Sequence, residues 1–246
     1  MVHGDTEVTN MQCDLDKLQK WSTENGMEFN ALKSNVIVFG GKADEFAPKY
    51  YLNGKLLTSM QPVKYLGVYL SHDMKWCCHI DYIANKALRV LGLIKHLLYD
   101  APGKVKLIAY VTLRRPLLEY ACEIWDPTTQ ILITKLENMQ SKATRSVKNL
   151  RDRYVSVSSI RVLIGLDTLQ NDRRNKRIAL FHTVLEHESF FPNLLKILDQ
   201  MKTNHDFNTR HANTFNSIVC STNKFLHSFL IRTARDLRIG ENAVDF

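Results

Sequence analysis

Three adjacent residues, Cys77-Cys78-His79, carry side chains that soft divalent metals prefer, and they sit in the stretch PVKYLGVYLSHDMKWCCHI, Pro62 to Ile80. A tetrahedral zinc site takes its ligands in pairs spaced two to four residues apart. These three are contiguous and no second Cys/His cluster lies near them, so a packing corner competes with the metal reading. The five cysteines, Cys13, Cys77, Cys78, Cys122 and Cys220, are odd in number and scattered. That usage suits a reducing compartment and argues against a disulfide framework. An adjacent aspartate pair, another common metal-holding arrangement, is missing as well: no two aspartates are adjacent anywhere in the 246 residues. Asp14 and Asp16 open a helical pattern, where they complement its positive end, and with Asp5 they make poor substitutes for such a pair.

Charge is the stronger chemical signal. Lys135 to Arg177 holds eleven Lys/Arg against four Asp/Glu, a net of +7 in a chain whose total is +8. Its cations include Arg145, Lys148, Arg151, Arg153, Arg173, Arg174, Lys176 and Arg177. So localised an excess attracts polyanions, nucleic-acid phosphates above all. A solvated helical face is the plainer use of the same residues, and Arg173 and Arg174, beside Asp172, could instead pair internally.

The surrounding composition is that of a folded protein, with 45% apolar and 24% charged residues. No apolar run reaches the roughly eighteen residues needed to cross a bilayer. The opening MVHGDTEV lacks the basic and apolar regions of a secretory signal, so the expectation is an intracellular protein, nuclear or cytoplasmic, away from membranes.

The elements that must position these residues fall into two regions. To about residue 72 the chain mixes one helix with short strands. Leu15, Leu18 and Trp21 share a helical face that Asn25-Gly26 ends, NVIVFGGK is a β-branched run, and YYLNGKLL places Asn53-Gly54 where a hairpin turn belongs. VKYLGVYL follows as another strand. Beyond Asp73 the pattern is helical. Ile80, Ile83, Ala84, Ala87, Leu88, Leu91, Ile94 and Leu98 form one apolar stripe. KVKLIAYVTLRRPLLEYACEIW is a second helix that Pro116 should kink or split. Further helices run through Leu132, Leu136, Ala143 and Val147, from Ile160 to Leu163, and from about Gln170 to Glu188, before a polar wrap and a short helix near FLHSFLIRTARDL. The fold class expected is α+β: a small antiparallel hairpin or sheet with one helix, then a mostly α-helical bundle.

Read in order, DLDKLQKWSTENGMEFNALKSNVIVFG, YYLNGKLL, VKYLGVYLSHDMKWCCHI, LRRPLLEYACEIWDP, LENMQSKATRSV and LDTLQNDRRNKRIALFH resemble the carboxyl-terminal half of the reverse transcriptase domain of non-LTR retrotransposons. The resemblance rests on Asn30 and Lys33, Tyr65-Leu66-Gly67, Trp76 with His79-Ile80, Arg115-Pro116, Leu118 to Ala121, Trp125, Pro127, Leu136-Glu137, Gln140, Ala143 and Arg173-Arg174. It implies a partial palm edge with a primer-grip hairpin at 1–72, a helical thumb and connection at 73–190, and an irregular wrap with a short helix at 191–246. Pro62 to Ile80 becomes the palm-to-thumb corner.

The resemblance assigns roles with it. Lys33 would be a proton donor in the intact parent alone, with a surface lysine as the plain alternative. Tyr65, Leu66 and Gly67 would grip the primer strand, or simply pack a strand with a bulge at Gly67. The basic residues from Arg145 to Arg177 would hold duplex phosphates without reading bases. Trp76, Tyr120 and Trp125 sit among apolar neighbours and are expected in the core. The family's metal-holding aspartates, which place two Mg²⁺ ions about 4 Å apart, have no counterpart here. At the far end the family closes with Trp-Asn-x-Leu-Pro, where this chain has Asp236-Leu237-Arg238-Ile239. The expected protein is therefore a fragment that uses no cofactor of its own, does not polymerise alone and binds an RNA–DNA or other duplex regardless of sequence. Mg²⁺ and the missing fingers and palm belong to the parent. Loss of those parts should expose apolar surface near Val36 to Phe39. The alternative is a non-enzymatic helical protein-interaction domain.

Overall fold

The computed structural model describes residues 5–39, 48–59, 61–148, 155–187, 192, 196–197 and 222–242. Its contacts divide the chain into two compact units, Met1–His79 and Ile80–Phe246. The fold is mostly helical, with two small antiparallel sheets of two strands each near the N-terminus.

In the first unit, α1 (Asp5–Glu24) begins well before the position at which Asp14 and Asp16 could serve its N-terminus. Both lie in its interior, where Asp14 pairs with Lys17 at 2.9 Å and Asp16 accepts from Gln12 at 2.8 Å. Leu18 and Trp21, on one helical face by their spacing, are each about half exposed. A different face turns inward. Gln12 donates to the carbonyl of Tyr51 at 3.0 Å and accepts from its N–H at 2.9 Å, and Gln19 accepts from the N–H of Asn53 at 2.9 Å. Backbone groups at a strand edge need partners, and these two glutamines, two helical turns apart, supply them to β1 (Tyr51–Leu52), which pairs with β2 (Lys55–Leu56).

The expected Asn53-Gly54 turn is present, with φ of +52° and +69°, the left-handed pair that a two-residue hairpin requires. VKYLGVYL, expected as one strand, instead folds back on itself. Leu66 and Gly67, at φ +45° and +89°, turn β3 (Val63–Tyr65) into β4 (Val68–Leu70). Nor do the described residues of the run NVIVFGGK, 35–39, form a strand: Asn35 makes a single bridge to Thr58, and Val36 N–H donates to Thr58 O at 3.1 Å. A β-branched run needs a neighbouring strand to pair with before its propensity counts. Phe39 at its end is 54% exposed.

The Cys-Cys-His stretch is a corner. Cys77 and Cys78 are exposed at the start of α2 (Cys77–Leu97), whereas the His79 ring is buried and its Nδ1 accepts from the N–H of Tyr69 on β4 at 3.3 Å. Burial pulls the His79 pKa down to about 4. Among the described residues no three His, Cys, Asp or Glu are grouped to hold a metal.

In the second unit, α2 buries Ile80, Ile83, Ala84, Ala87, Leu91 and Ile94, as its spacing predicts. The next helix is split, as Pro116 requires. α3 (Gly103–Ala109) passes into a π turn at Tyr110–Arg114, where Arg115 N–H donates to Tyr110 O, and then into α4 (Arg115–Glu119). Proline lacks the amide hydrogen and crowds the carbonyl four residues back, and widening the turn relieves both problems. A second break, at Ala121 with φ +52°, separates α5 (Cys122–Trp125). Then follow α6 (Gln130–Val147), α7 (Val157–Leu163), α8 (Leu169–Glu186), α9 (Asn223–Leu226) and α10 (Phe229–Asn242).

Two clusters make the core of this unit. Leu91, Tyr110, Ala143 and Leu166 join α2, the π turn, α6 and the approach to α8. Phe181, Val184, Leu230, Ile231 and Ala234 lock α10 onto α8. Trp125 is fully buried and donates from Nε1 to Tyr120 O at 2.8 Å, but the Tyr120 side chain, expected in the core, is 59% exposed because it sits at the break between α4 and α5.

Two substitutions probe these arrangements. A Cβ on Gly103 would lie 2.8 Å from the carbonyl oxygen of Val147, so Gly103→Ala should destabilise the fold by about 1–3 kcal/mol in denaturant unfolding. Because His79 is held neutral, the unfolded chain binds the proton more readily, and stability should fall as pH drops from about 6.5 towards 4. His79→Phe should flatten that part of the stability–pH curve.

Candidate nucleic-acid interface

α6 owes its orientation to one apolar stripe. Ile133, Leu136, Met139, Ala143 and Val147 are buried at helical spacing, and the opposite face is left to Lys135, Asn138, Lys142 and Arg145. With Ser141, Met139 and Val157 of α7, those four line an open groove of about 460 Å³, and none of its lining residues is acidic. Lys135 also bonds Asp81 of α2 at its outer edge. Lys148 caps the helix and is exposed. From Lys135 to Arg145 the stripe runs about 15 Å along the axis, which matches about four steps of one nucleic-acid strand.

The basic residues of α8 are placed differently. Arg173 is fully buried, its Nε 2.8 Å from Asp126 Oδ1. Arg177, also buried, bonds both Asp126 and Asp236. Arg232 of α10 donates to the Asp126 carbonyl at 2.9 Å and meets its carboxylate at 2.9 Å. Arg174 donates to Asp236 O at 3.0 Å, and Lys176 reaches Glu119 at 2.7 Å. Arg115 ties Glu119 to Asp172 in a second network beside the first. Arg173 and Arg177 therefore cannot reach a phosphate in this conformation: each sits inside the protein, bonded to a carboxylate. Arg174 and Lys176 are partly exposed and already paired.

The carboxylates come from far along the chain. Asp126 lies 47 residues before Arg173, and Asp236 lies 59 after Arg177. Counting acids within the basic segment alone therefore missed them. Asp236 is also the residue that stands where the family pattern differs, and it is what fastens α10 to Arg174 and Arg177.

Of the other sequence-derived site residues, Arg145 lines the α6 groove and Lys148 follows it, while Arg151 and Arg153 lie outside the described residues. Lys135, Asn138, Ser141 and Lys142 were not singled out from sequence, although three- and four-residue spacing opposite Leu136 and Ala143 was there to be read. In the first unit, Tyr65 and Leu66 project from the β3–β4 turn, 62% and 73% exposed, and Gly67 supplies its positive φ. Lys33 is exposed at the end of a 3₁₀ turn, Ala31–Lys33, which Asn30 caps by accepting from Leu32 N–H at 3.0 Å.

The chain is distantly similar to the RNA-directed DNA polymerase from mobile element jockey. It is 26% identical to the Drosophila melanogaster protein over 144 residues, 57% of this chain, and 25% identical to the Drosophila funebris protein over 138 residues, 54% of this chain. The chain spans only 16% and 15% of the length of those relatives. No family model matches the chain, and no solved structure matches it. The similarity agrees at a coarse level with the relationship to non-LTR retrotransposon reverse transcriptases drawn from the motifs. No described helix is long and apolar enough to cross a membrane.

The buried network is directly testable. Asp126→Asn leaves Arg173 and Arg232 facing a neutral amide and Arg177 with Asp236 as its one carboxylate, and unfolding free energy should drop by about 3–5 kcal/mol. Lys142→Ala, on the exposed stripe, should change it by less than about 0.5 kcal/mol.

Proposed function

We propose that this chain is a reverse-transcriptase-derived polypeptide whose helical unit binds nucleic-acid duplex through phosphates, without reading sequence. The observation that carries this reading is the α6 groove: Lys135, Lys142 and Arg145 on one face with no acidic lining residue, in a chain distantly similar to an RNA-directed DNA polymerase. Lysine and arginine on a rigid helix suit a duplex that must be held in any register, because phosphate contacts position a strand and base contacts specify it. Lys148 extends the stripe by one turn, and Arg151 and Arg153 follow it in sequence.

In the parent enzyme the β3–β4 turn, with Tyr65, Leu66 and Gly67, would grip the primer end, and Lys33 would stand near the incoming nucleotide as proton donor. The fingers and the rest of the palm would be the partners of this chain. A two-metal centre does not fit the residues present: no aspartate pair exists in the sequence, and no three metal-binding side chains are grouped among the described residues. We therefore derive no catalytic step from this chain, and its own activity is binding.

A helical protein-interaction domain is the second reading, favoured by apolar side chains that α2, α3 and the π turn leave exposed, among them Leu93, Leu97, Ile108 and Leu113. The two readings respond differently to salt. Three or four phosphate contacts should lower affinity for an RNA–DNA duplex roughly 40- to 150-fold between 50 and 200 mM salt in fluorescence anisotropy. Lys142→Glu with Arg145→Glu should cut affinity further and flatten the slope by about two contacts. Absent or salt-insensitive binding would favour the interaction domain.

A further inference from the structure

Through α3, the π turn and α4, Lys106, Tyr110, Arg114 and Leu118 recur at intervals of four and are all buried. Two cations thus face the core. Lys106 resolves its burial by donating from Nζ to the Tyr99 carbonyl at 2.8 Å. Arg114 has no such outlet. It is 0% exposed, its Cζ lies 5.7 Å from the centroid of the Tyr110 ring, and its Nε, Nη1 and Nη2 have no hydrogen-bond acceptor.

Tyr110 beside it packs in an apolar cluster with Leu91, Ala143 and Leu166, and its hydroxyl is buried and also without a partner. Burial lowers Arg114 to about 10 and raises the Tyr110 phenol to about 12, which leaves one charged and one protonated at neutral pH, both of them donors.

A buried guanidinium without an acceptor is among the least favourable groups an interior can hold, and methionine would fill the same space without that cost. Arg173, Arg177 and Arg232 differ in that each meets the Asp126 carboxylate, although Arg173 Nη1 and Nη2 and Arg177 Nε are likewise without an acceptor. We propose that Arg114 and Tyr110 form a binding site for one small inorganic anion of halide size, held by the guanidinium N–H groups and the phenol O–H. Zero exposure excludes larger occupants. Entry requires the π turn to open, and Val111 and Leu113 on its outer side are exposed.

The test compares thermal unfolding of the full chain in sodium chloride with that in sodium gluconate at equal ionic strength. Above its Kd, each tenfold rise in chloride should raise Tm by about 3–5 °C. Arg114→Met should abolish the difference between the salts, and Tyr110→Phe, which keeps the ring and the charge, should shrink it. Crystals grown in sodium bromide should show an anomalous-scattering peak against the Arg114 guanidinium. Equal Tm values for the wild type in both salts would overturn the site. So would a chloride increment unchanged in Tyr110→Phe and Arg114→Met, or bromide crystals without density at Arg114.

Discussion

The second unit depends on one carboxylate. Asp126, at the end of α5, is nearly buried and meets three guanidiniums, from Arg173 and Arg177 on α8 and Arg232 on α10. Removing that many charges from water is unfavourable unless the geometry satisfies most of their hydrogen-bonding groups. Arg173 Nη1 and Nη2 and Arg177 Nε still find no acceptor, so the network holds α5, α8 and α10 in one arrangement more than it adds net stability. Asp236 completes it by bonding Arg177 and Arg174, and the apolar cluster of Phe181, Val184, Leu230, Ile231 and Ala234 closes over the same two helices.

That network determines what the surface can offer. With the α8 arginines drawn inward, α6 still presents a positive face among the described residues, with Lys135, Lys142 and Arg145 around an open groove. A run of like charge in sequence therefore separates into an internal part, which holds helices together, and an external part, which is available to a polyanion. The external part is the surface on which the proposed nucleic-acid binding would rest.

The first unit solves a different problem. Its sheets are two strands each, too small to satisfy their own edges. Gln12 and Gln19 of α1 act as surrogate strand backbone for Tyr51 and Asn53. Turning these glutamines inward leaves Met11, Leu18 and Trp21 about half exposed, an apolar face on an otherwise polar helix.

What the sequence determined by itself was local. Apolar spacing from Ile80 to Ile94 was enough to define α2, Asn53-Gly54 a hairpin turn, and Pro116 the site at which a helix must break, because each follows from backbone geometry over a few residues. The π turn that absorbs Pro116 and the fold-back at Leu66-Gly67 needed the structure, since a strand with a bulge and a tight hairpin read alike in one dimension. The fate of the arginines was decided only in three dimensions. Arg173 and Arg177 have the same chemistry as Arg145, yet a carboxylate some fifty residues away draws them inside, while Arg145 lines an open groove. Charge is a property of the residue, but exposure of that charge is a property of the packed chain.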